Sequence, residues 1–324
     1  MLKLPEKIVK IRDREFLFRV EDSPQAADYK KYEDLRQEVW QFAEDHMAGT
    51  RNLLCENFLH EGSSLFLGVF EQAQDGRFIL DGQHLVGFSY GFVGLKDKSL
   101  GFDRPSNLWF YSQFLGVRPD RLNYGLGIMI KEFQREVLLE VLHLETVVCT
   151  YDPLTAVNAY RNVRHFGMKV LEYRVAPYGE YGGRLNRQDV PSDRFFMSWN
   201  LRENFSAPVP DPEVGEQIGR WPQAIRVEYR EIETEKGRAT LEVAAGPFLD
   251  LEDEYLLVPV PADFYLMLNL TDIEDPGVRR IPVNWRFQTR EAFLHYFGRG
   301  YRVVDFLKSE TGTRKCCYLL KRNR

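Results

Sequence analysis

The first hundred residues alternate between strand-like and helix-like hydrophobic patterns. Three runs rich in β-branched and aromatic residues, at 15–20, 64–71 and 85–93, predict strands. Between the first two runs, apolar residues recur at spacings of three and four. This spacing predicts a helix from about Ala26 to Met47 that buries Tyr32, Leu35, Val39 and Phe42.

A second alternation begins with a predicted strand at 108–115. Val117-Arg118-Pro119 and Gly125-Leu126-Gly127 follow, and an apolar stripe then predicts a long helix with Leu126, Ile130, Phe133, Val137 and Val141 on one face. The remaining segments are a strand at 144–151, a helix at about 154–166 that ends at Gly167, and a strand at 168–175. The predicted order is β-α-β-α-β.

The turn between the strand at 108–115 and its helix predicts a phosphate site. A glycine turn that opens a helix leaves backbone N–H groups without partners, and the helix dipole adds roughly half a positive charge there. The alternative is a plain strand-to-helix turn, because glycine also serves turns and close packing. A P-loop is excluded by the absent G-x-x-x-x-G-K-[ST], and Ile130 replaces the third glycine of a dinucleotide fingerprint.

Gly87-Phe88-Ser89-Tyr90-Gly91 matches the nucleophile elbow of hydrolases. That motif requires a sharp strand-to-helix turn, whereas this segment lies inside a predicted strand and no helix follows it. A chance match is the favoured interpretation. A Ser89 hydrolase stays as a third hypothesis, which labelling of Ser89 by a fluorophosphonate would support.

The order of these motifs resembles the GNAT superfamily of acyl-CoA-dependent N-acyltransferases over residues 10–202. More narrowly, the chain is similar to a bacterial subgroup of predicted acyltransferases. The motifs that carry this similarity are Thr150-Tyr151-Asp152-Pro153-Leu154, Asn158-Ala159, Asn162, Phe166-Gly167, Tyr181-Gly182, Ser192-Asp193-Arg194, Trp285-Arg286 and Arg299-Gly300-Tyr301. The resemblance implies an α+β fold with a mixed, mostly antiparallel sheet flanked by helices.

The resemblance also implies a co-substrate, acetyl-CoA or another acyl-CoA. Its pantetheine arm would bind the backbone of Phe114, Leu115, Gly116 and Val117. Its pyrophosphate would bind the amides of Leu122, Asn123, Tyr124, Gly125, Leu126 and Gly127. Asn158 lies near where family members contact the cofactor. The acyl group would pass to the amine of a small-molecule acceptor by direct attack.

Three positions depart from the family pattern. Leu122 stands where members usually carry Arg or Gln, and Val163 stands where many carry the tyrosine that acts as acid. Tyr160, one turn earlier, and Tyr151, at a strand end, are the candidate replacements. Gln113 replaces a histidine of the subgroup and cannot accept a proton at neutral pH. The alternative function is therefore a catalytically silent acyl-CoA-binding or structural module.

Composition limits the remaining possibilities. The 324 residues carry a net charge of −5 and no basic runs, which argues against a nucleic-acid partner. No apolar run approaches the length of a membrane span, and the start of the chain lacks the apolar core of a signal peptide. The four cysteines have no C-x-x-C spacing and no metal motif is present, so reduced thiols in the cytoplasm are expected.

The sequence predicts two domains, with a GNAT-like domain at 1–202, a Pro-rich linker at 203–221 and a C-terminal α+β domain at 222–324. Three prolines between 208 and 212 suggest a stiff connector. Aligning Gly167 with Gly300 places Lys169–Tyr173 opposite Arg302–Phe306. We infer that the C-terminal domain is a shortened GNAT-like copy without a phosphate loop. The alternative is that helix-glycine-strand units are simply common in α+β proteins.

The loop at 176–187 is long and rich in Gly, Tyr and Arg. Long loops with aromatic and charged groups are frequently functional. We expect it to line the acceptor site through Tyr178, Tyr181, Arg184 and Arg187, with Arg184 or Arg187 pairing with a substrate carboxylate. The alternative is an ordinary surface loop.

Overall fold

The computed structural model describes residues 3–41, 49–179, 182–183, 185–210, 213–234, 237–309 and 315–323. Two compact units are present. The first contains Met1–Cys149 and Asn200–Arg202, and the second contains Thr150–Trp199 and Glu203–Arg324. The predicted boundary at 202 therefore differs from the observed division.

The first unit is built on an ordered run of strands. They are β1 (Glu6–Ile11), β2 (Arg14–Val20), β3 (Ser64–Glu71), β4 (Leu85–Leu95), β5 (Leu108–Val117) and β6 (Thr146–Tyr151), whose last two residues belong to the second unit. Each pairs antiparallel with the next from β1 to β5, and β5 pairs parallel with β6. The predicted class, a mixed and mostly antiparallel sheet flanked by helices, is confirmed.

Helices cover both faces of this sheet. The helices are α1 (Lys30–Trp40), α2 (Thr50–Glu56) and α3 (Leu126–Glu140), with 3₁₀ turns at Ala26–Tyr29, Lys98–Leu100, Pro105–Asn107 and Pro119–Tyr124. Tyr32 and Leu35 of α1 pack with Phe66 and Phe88 in one aromatic core. On the opposite face, Phe133 of α3 meets Phe18 edge-on at 6.1 Å. The predicted helix at 26–47 is thus a 3₁₀ turn followed by α1, and Phe42 lies outside the described residues.

The second unit contains three strand groups. They are the antiparallel pair β7 (Lys169–Arg174) and β8 (Arg194–Asn200, of which only Asn200 is in the first unit), the hairpin β9 (Arg226–Thr234) and β10 (Gly237–Ala245), and a sheet in the order β11 (Tyr255–Val260), β13 (Lys315–Arg322), β12 (Tyr301–Ser309). Its helices are α4 (Ala156–Ala159) continuing into a π-helical turn at Tyr160–His165, α5 (Val214–Arg220), α6 (Phe264–Leu270), α7 (Pro276–Arg279) and α8 (Ile281–Gly298).

An aromatic core explains why residues 150–199 belong with the C-terminal residues. Phe195 of β8 lies 4.8 Å from Phe293 of α8 and 5.4 Å from Tyr318 of β13, measured between ring centroids. Aromatic pairs of this kind add to the free energy gained by burying their surface. A boundary at 202 would divide this core, so the prediction from the prolines was wrong.

The segment predicted as a linker is packed rather than free. Val209, Val214 and Ile218 are buried in one cluster with Leu257, Leu307, Cys317 and Leu319. The Val209 carbonyl accepts a hydrogen bond from Arg164 at 2.7 Å. Buried apolar side chains therefore hold the described part of this segment against the second unit's sheet.

Buried ion pairs also tie α8 to the residues before the prolines. Asp193 has no exposed surface, and it accepts hydrogen bonds from both Nε and Nη2 of Arg290 at 2.8 Å. Removing one partner of a buried pair leaves an uncompensated charge, which costs about 3–5 kcal/mol when the pair is fully buried.

We predict that Arg290→Ala lowers the free energy of unfolding by about 2–3 kcal/mol. This loss is smaller than that of a fully buried pair, because the arginine is partly exposed. The matched control is Arg226→Ala, whose pair with Glu228 is exposed and whose loss should cost less than about 0.5 kcal/mol. Chemical denaturation measures both. Equal stabilities of the two variants, or a chain ending at Arg202 that melts as cooperatively as the full protein, would contradict the shared core.

Candidate functional site

Strand β5 has one unpaired edge over half its length. It pairs with β6 only through Phe110–Val147 and Tyr111–Val148. Among the residues that the structure describes, β5 pairs from Ser112 to Val117 only with β4 on its other side. Backbone N–H and C=O groups on that edge are therefore open to a ligand that lies along the strand.

A β-bulge marks the start of the open edge. Gly91 pairs with Ser112 and Tyr90 pairs with Phe114, so Gln113 is the extra residue and has no partner in β4. Gln113 is exposed, whereas Phe114 and Leu115 are half-buried. Bulges bend a strand and often lie beside functional sites. The sequence identified Gln113 as a candidate but could not show that it is bulged.

The segment after β5 is held against the first hairpin. Tyr124 packs edge-on against Phe16 at 5.6 Å, and the Arg12 guanidinium lies 5.0 Å above its ring. Arg12 also donates to the carbonyl oxygen of Asn123 at 3.3 Å. These contacts fix the loop backbone from one side.

A carboxylate anchors the same loop from the sheet. Arg121 donates to Glu71 at 2.8 Å, and Arg14 forms a second ion pair with the same carboxylate. Burial alone would raise the pKa of Glu71, but the hydrogen bonds from the two arginines hold it below its ordinary value. Arg121 thus serves as an anchor of the loop.

The amides at the start of α3 are available to a ligand. Among the described residues, the N–H groups of Gly125, Leu126 and Gly127 donate no hydrogen bond. Gly125 is exposed and Gly127 is half-buried, while the Leu126 side chain is buried and anchors the helix. Leu122 and Asn123 are exposed in the preceding turn, with Leu122 61% exposed. Among the described residues, this segment is therefore exposed at Leu122, Asn123 and Gly125.

The strand residues predicted to hold the pantetheine arm present backbone rather than side chain. Gly116 and Val117 are buried, and a Cβ on Gly116 would lie 2.8 Å from the Trp40 ring. At Gly116, the α1 side of β5 is therefore filled by the Trp40 ring. The strand edge is open at this position among the described residues.

Two predicted residues lie around the π-helical turn of the second unit. Tyr160 is 37% exposed, and no described residue hydrogen-bonds its hydroxyl group. Asn158 donates to Thr155 at 3.1 Å and accepts from Arg161 at 2.8 Å. π-helical turns inside helices are frequent at functional sites.

Tyr151 lies in a different environment from Tyr160. It is 6% exposed, and its hydroxyl group shares a hydrogen bond of 3.0 Å with that of Tyr318. Tyr318 in turn donates to the carbonyl oxygen of Pro153 at 2.8 Å. Burial raises the pKa of Tyr318 well above its ordinary value. This arrangement supports the strand end, and Tyr160 is the more exposed of the two tyrosines.

Part of the predicted acceptor loop serves to hold the second unit together. Arg187 is 8% exposed and donates to Asp189, to the backbone and hydroxyl oxygens of Thr271 at 3.0 Å, and to the Arg279 carbonyl. The expectation that Arg187 binds a substrate carboxylate is wrong, because these acceptors already use its guanidinium. Tyr178 is half exposed and shares a hydrogen bond of 2.7 Å with Thr150. Tyr181 and Arg184 lie outside the described residues.

Ser89 does not have the geometry of a nucleophile elbow. It lies within β4, has no exposed surface and accepts a hydrogen bond from Gln134 of α3 at 2.9 Å. A fluorophosphonate could not reach it in the folded protein. The hydrolase hypothesis is therefore set aside.

The structure shows polar residues that sequence reasoning missed. Arg286 has no exposed surface and pairs with Asp152 at the turn before α4. Burial would lower the pKa of Arg286, but the Asp152 charge and hydrogen bond raise it above its ordinary value. The T-Y-D-P and W-R motifs were noticed separately, and no sequence pattern indicated that they meet.

No protein-family model and no curated protein matches the chain. Solved structures similar to part of it include Arabidopsis thaliana NAA60 in complex with acetyl-CoA, at 11% identity over 57% of this chain and 99% of that one, with a TM-score of 0.41. The ribosomal-protein-S18-alanine N-acetyltransferase from Escherichia coli matches at 13% identity over 60% and 99%, with a TM-score of 0.39. Spermidine N-acetyltransferase from Vibrio cholerae matches at 11% identity over 57% of this chain and 94% of that one, with a TM-score of 0.38.

Within the described residues, no helix is both long and apolar enough to cross a membrane.

We predict that Gly125→Ala lowers the free energy of unfolding by about 1 kcal/mol, because Gly125 has a φ of 71° and an L-residue is strained there. A Cβ at this position would meet no atom within 4 Å, so backbone conformation alone is tested. Gly219→Ala is the matched control, since Gly219 lies in α5 with equal space and no positive φ. That variant should be neutral or slightly stabilised. Equal losses in urea denaturation would contradict the argument.

Proposed function

We propose that this protein is a GNAT-like N-acyltransferase that moves an acyl group, with acetyl favoured, from coenzyme A to the amine of a small molecule. The observation that carries the proposal is the continuous line from the bulge at Gln113, along the open edge of β5, to the amides before α3 that donate no hydrogen bond among the described residues. A ligand with an amide-bearing arm and a diphosphate end complements both parts.

Two kinds of contact would hold the ligand. The backbone of Phe114 to Val117 pairs with the arm as a neighbouring strand would. The amides of Gly125, Leu126 and Gly127 face the diphosphate, where the dipole of a helix of 15 residues favours negative charge. Leu122 and Asn123 form the exposed lip of this loop, and Tyr124 fixes it.

The reaction is a direct transfer. The amine nitrogen attacks the thioester carbonyl carbon, a C–N bond forms and the C–S bond breaks. The nitrogen loses its protons to solvent and to the leaving thiolate, so an ammonium acceptor yields amide, thiol and one free proton. Positioning supplies most of the acceleration in such a reaction.

Of the two tyrosines that could replace the acid that the family carries at the position of Val163, we assign the proton donor to Tyr160, and its 37% exposure supports that role. Gln113 acts as a hydrogen-bonding residue at the bulge rather than as a base, because an amide does not titrate. Asn158 remains a proposed cofactor contact, and Tyr178, Tyr181 and Arg184 remain proposed acceptor contacts. A reducing compartment such as the cytoplasm suits the chain, because its four cysteines are free thiols.

A silent acyl-CoA-binding module is the second candidate. Three positions favour it, namely Leu122 without a cation, Val163 without a hydroxyl group and Gln113 without a base. These three positions would affect catalysis or the affinity for the cofactor. None of them blocks the open edge of β5. Binding without turnover is the outcome that this alternative expects.

We also propose that the C-terminal residues are a degenerate copy of the segment containing β6, α4, β7 and β8. Gly167 and Gly300 both have positive φ, of 61° and 86°. The β7–β8 register shifts around Leu171, and the β12–β13 register shifts around Val304. When the two glycines are aligned, these bulges coincide. A shared bulge supports common descent more strongly than a shared helix-glycine-strand order.

The outer edge of the copy's first strand is covered at Leu257. Residues 222–224 run beside β11, where Leu257 donates to the Pro222 carbonyl at 2.8 Å and Ala224 donates to the Leu257 carbonyl at 2.7 Å. The chain's own backbone thus takes the place that a ligand would need. This favours a structural role for the copy. It also favours a cofactor site that lies on the first unit.

We predict that the protein binds coenzyme A in calorimetry and that Leu122→Arg tightens binding up to about five-fold at low salt, because a cation is added beside the diphosphate. The matched control is Leu100→Arg, at another exposed leucine of the first unit, and it should leave affinity unchanged. Wild-type protein that takes up no coenzyme A would contradict the proposed function.

We predict that Tyr160→Phe lowers the rate of thiol release from acetyl-CoA in an amine screen by about a hundred-fold, with coenzyme A affinity unchanged. Tyr151→Phe should instead lose about 1 kcal/mol of stability and keep its rate, because its hydroxyl group serves Tyr318. Wild-type binding without thiol release for any amine would favour the silent module. If Tyr151→Phe alone lowered the rate of thiol release, Tyr151 rather than Tyr160 would be the proton donor.

A further inference from the structure

A carboxylate lies at the edge of the aromatic face next to the β5 bulge. Glu56 is the last residue of α2, and its Oε2 accepts a hydrogen bond from the Tyr90 hydroxyl group at 2.7 Å. Tyr90 is 6% exposed, and its ring stacks on Phe114 with centroids 6.3 Å apart and planes at 26°. Phe114 directly follows the bulged Gln113.

Glu56 has no cationic partner among the described residues. Other shielded carboxylates of the same unit do: Glu21 pairs with Lys31 at 2.7 Å, Glu33 with Arg36 at 3.0 Å, and Glu71 with two arginines. Within the described part of the chain, the hydrogen-bond donor to the Glu56 side chain is the neutral phenol of Tyr90. A half-buried carboxylate with open acceptor capacity is ready to receive a cation.

The surroundings suit an organic cation rather than a metal ion. Phe92 and Tyr111 stack at 5.4 Å on the same face as Tyr90 and Phe114, and they supply aromatic surface. Aromatic faces attract ammonium groups and their hydrocarbon substituents together. Arg36, whose guanidinium lies 5.3 Å above Phe114, is paired through both Nε and Nη2 with Glu33, so a carboxylate already balances its charge.

The carboxylate is held on a rigid support. Asn57, the next residue, has no exposed surface and donates to the Glu21 carbonyl and to the Tyr29 hydroxyl group, both at 2.9 Å. A Cβ on Gly62 would overlap the Glu56 carbonyl, so the turn after α2 closes tightly on this residue. Charged sites built on supported positions lose little entropy when a ligand binds.

We propose that Glu56, oriented by Tyr90, binds the ammonium group of the acceptor on the aromatic face beside the β5 bulge. This inference rests on the proposed function, since the bulge marks where the thioester would lie. It narrows the acceptor class to amines that arrive protonated and carry apolar or aromatic surface. Burial raises the pKa of Tyr90, so the phenol stays protonated and keeps donating to the carboxylate.

The test uses benzylammonium as the probe and benzyl alcohol as its neutral counterpart. In protein labelled with ¹³C at tyrosine, the Tyr90 signal is identified by its loss in Tyr90→Phe and followed during titration. We expect benzylammonium, and not benzyl alcohol, to shift this signal. Glu56→Gln should weaken the benzylammonium affinity by about ten-fold or more, because a charge-assisted hydrogen bond is lost.

Glu61→Gln is the matched control, since Glu61 is exposed five residues away and the change in charge is the same. It should bind benzylammonium as the wild type does, and thermal melts should show all variants folded. No response to benzylammonium, an equal response to benzyl alcohol, or wild-type affinity in Glu56→Gln would overturn the proposal. Calorimetry with coenzyme A on the same samples separates this failure from failure of the proposed function.

Discussion

A strand inside a sheet has backbone hydrogen-bonding groups on both of its edges. On the edge that faces β6, strand β5 is paired only up to Tyr111 among the described residues. Every other feature of the candidate site depends on this constraint. The bulge at Gln113 bends the strand where parallel pairing ends, and the strand then leads into a turn whose last amides also lack partners. An unpaired strand edge is a liability for aggregation. Its retention in the interior of a sheet is best explained by a ligand that completes it.

Local sequence patterns predicted the elements that build this site. The bounds of β3 match the apolar run at 64–71, and α3 begins directly after Gly125. Both were predictable because the side-chain pattern of a strand and the glycine of a turn are visible within a few neighbouring residues. The bulge was beyond such reasoning, since it depends on the register between β4 and β5. Strand β1 was also missed. Most of its residues are exposed, and pairing with β2 rather than an apolar stripe stabilises it.

Long-range pairs account for the errors in the second unit. Arg187 looked like a substrate ligand because a Gly-rich loop with arginine is typical of binding sites, yet acceptors from Thr271 and Arg279 use its guanidinium. Three prolines suggested a spacer, yet Val209 and Val214 are buried among strand residues far along the chain. In both cases the deciding partner is more than forty residues away, beyond the reach of any sequence window. The proposed internal copy was noticed because the glycines at its two helix ends, which both have positive φ, are a local signal.

The backbone hydrogen bonds between residues 222–224 and Leu257 have a consequence for stoichiometry. A duplicated fold normally offers two equivalent clefts, and two equivalent clefts allow cooperative saturation within one molecule. Under the proposed duplication, residues 222–224 occupy part of the second cleft beside Leu257. We therefore expect each chain to bind a single equivalent with a hyperbolic isotherm, and a sigmoidal response would indicate association between molecules.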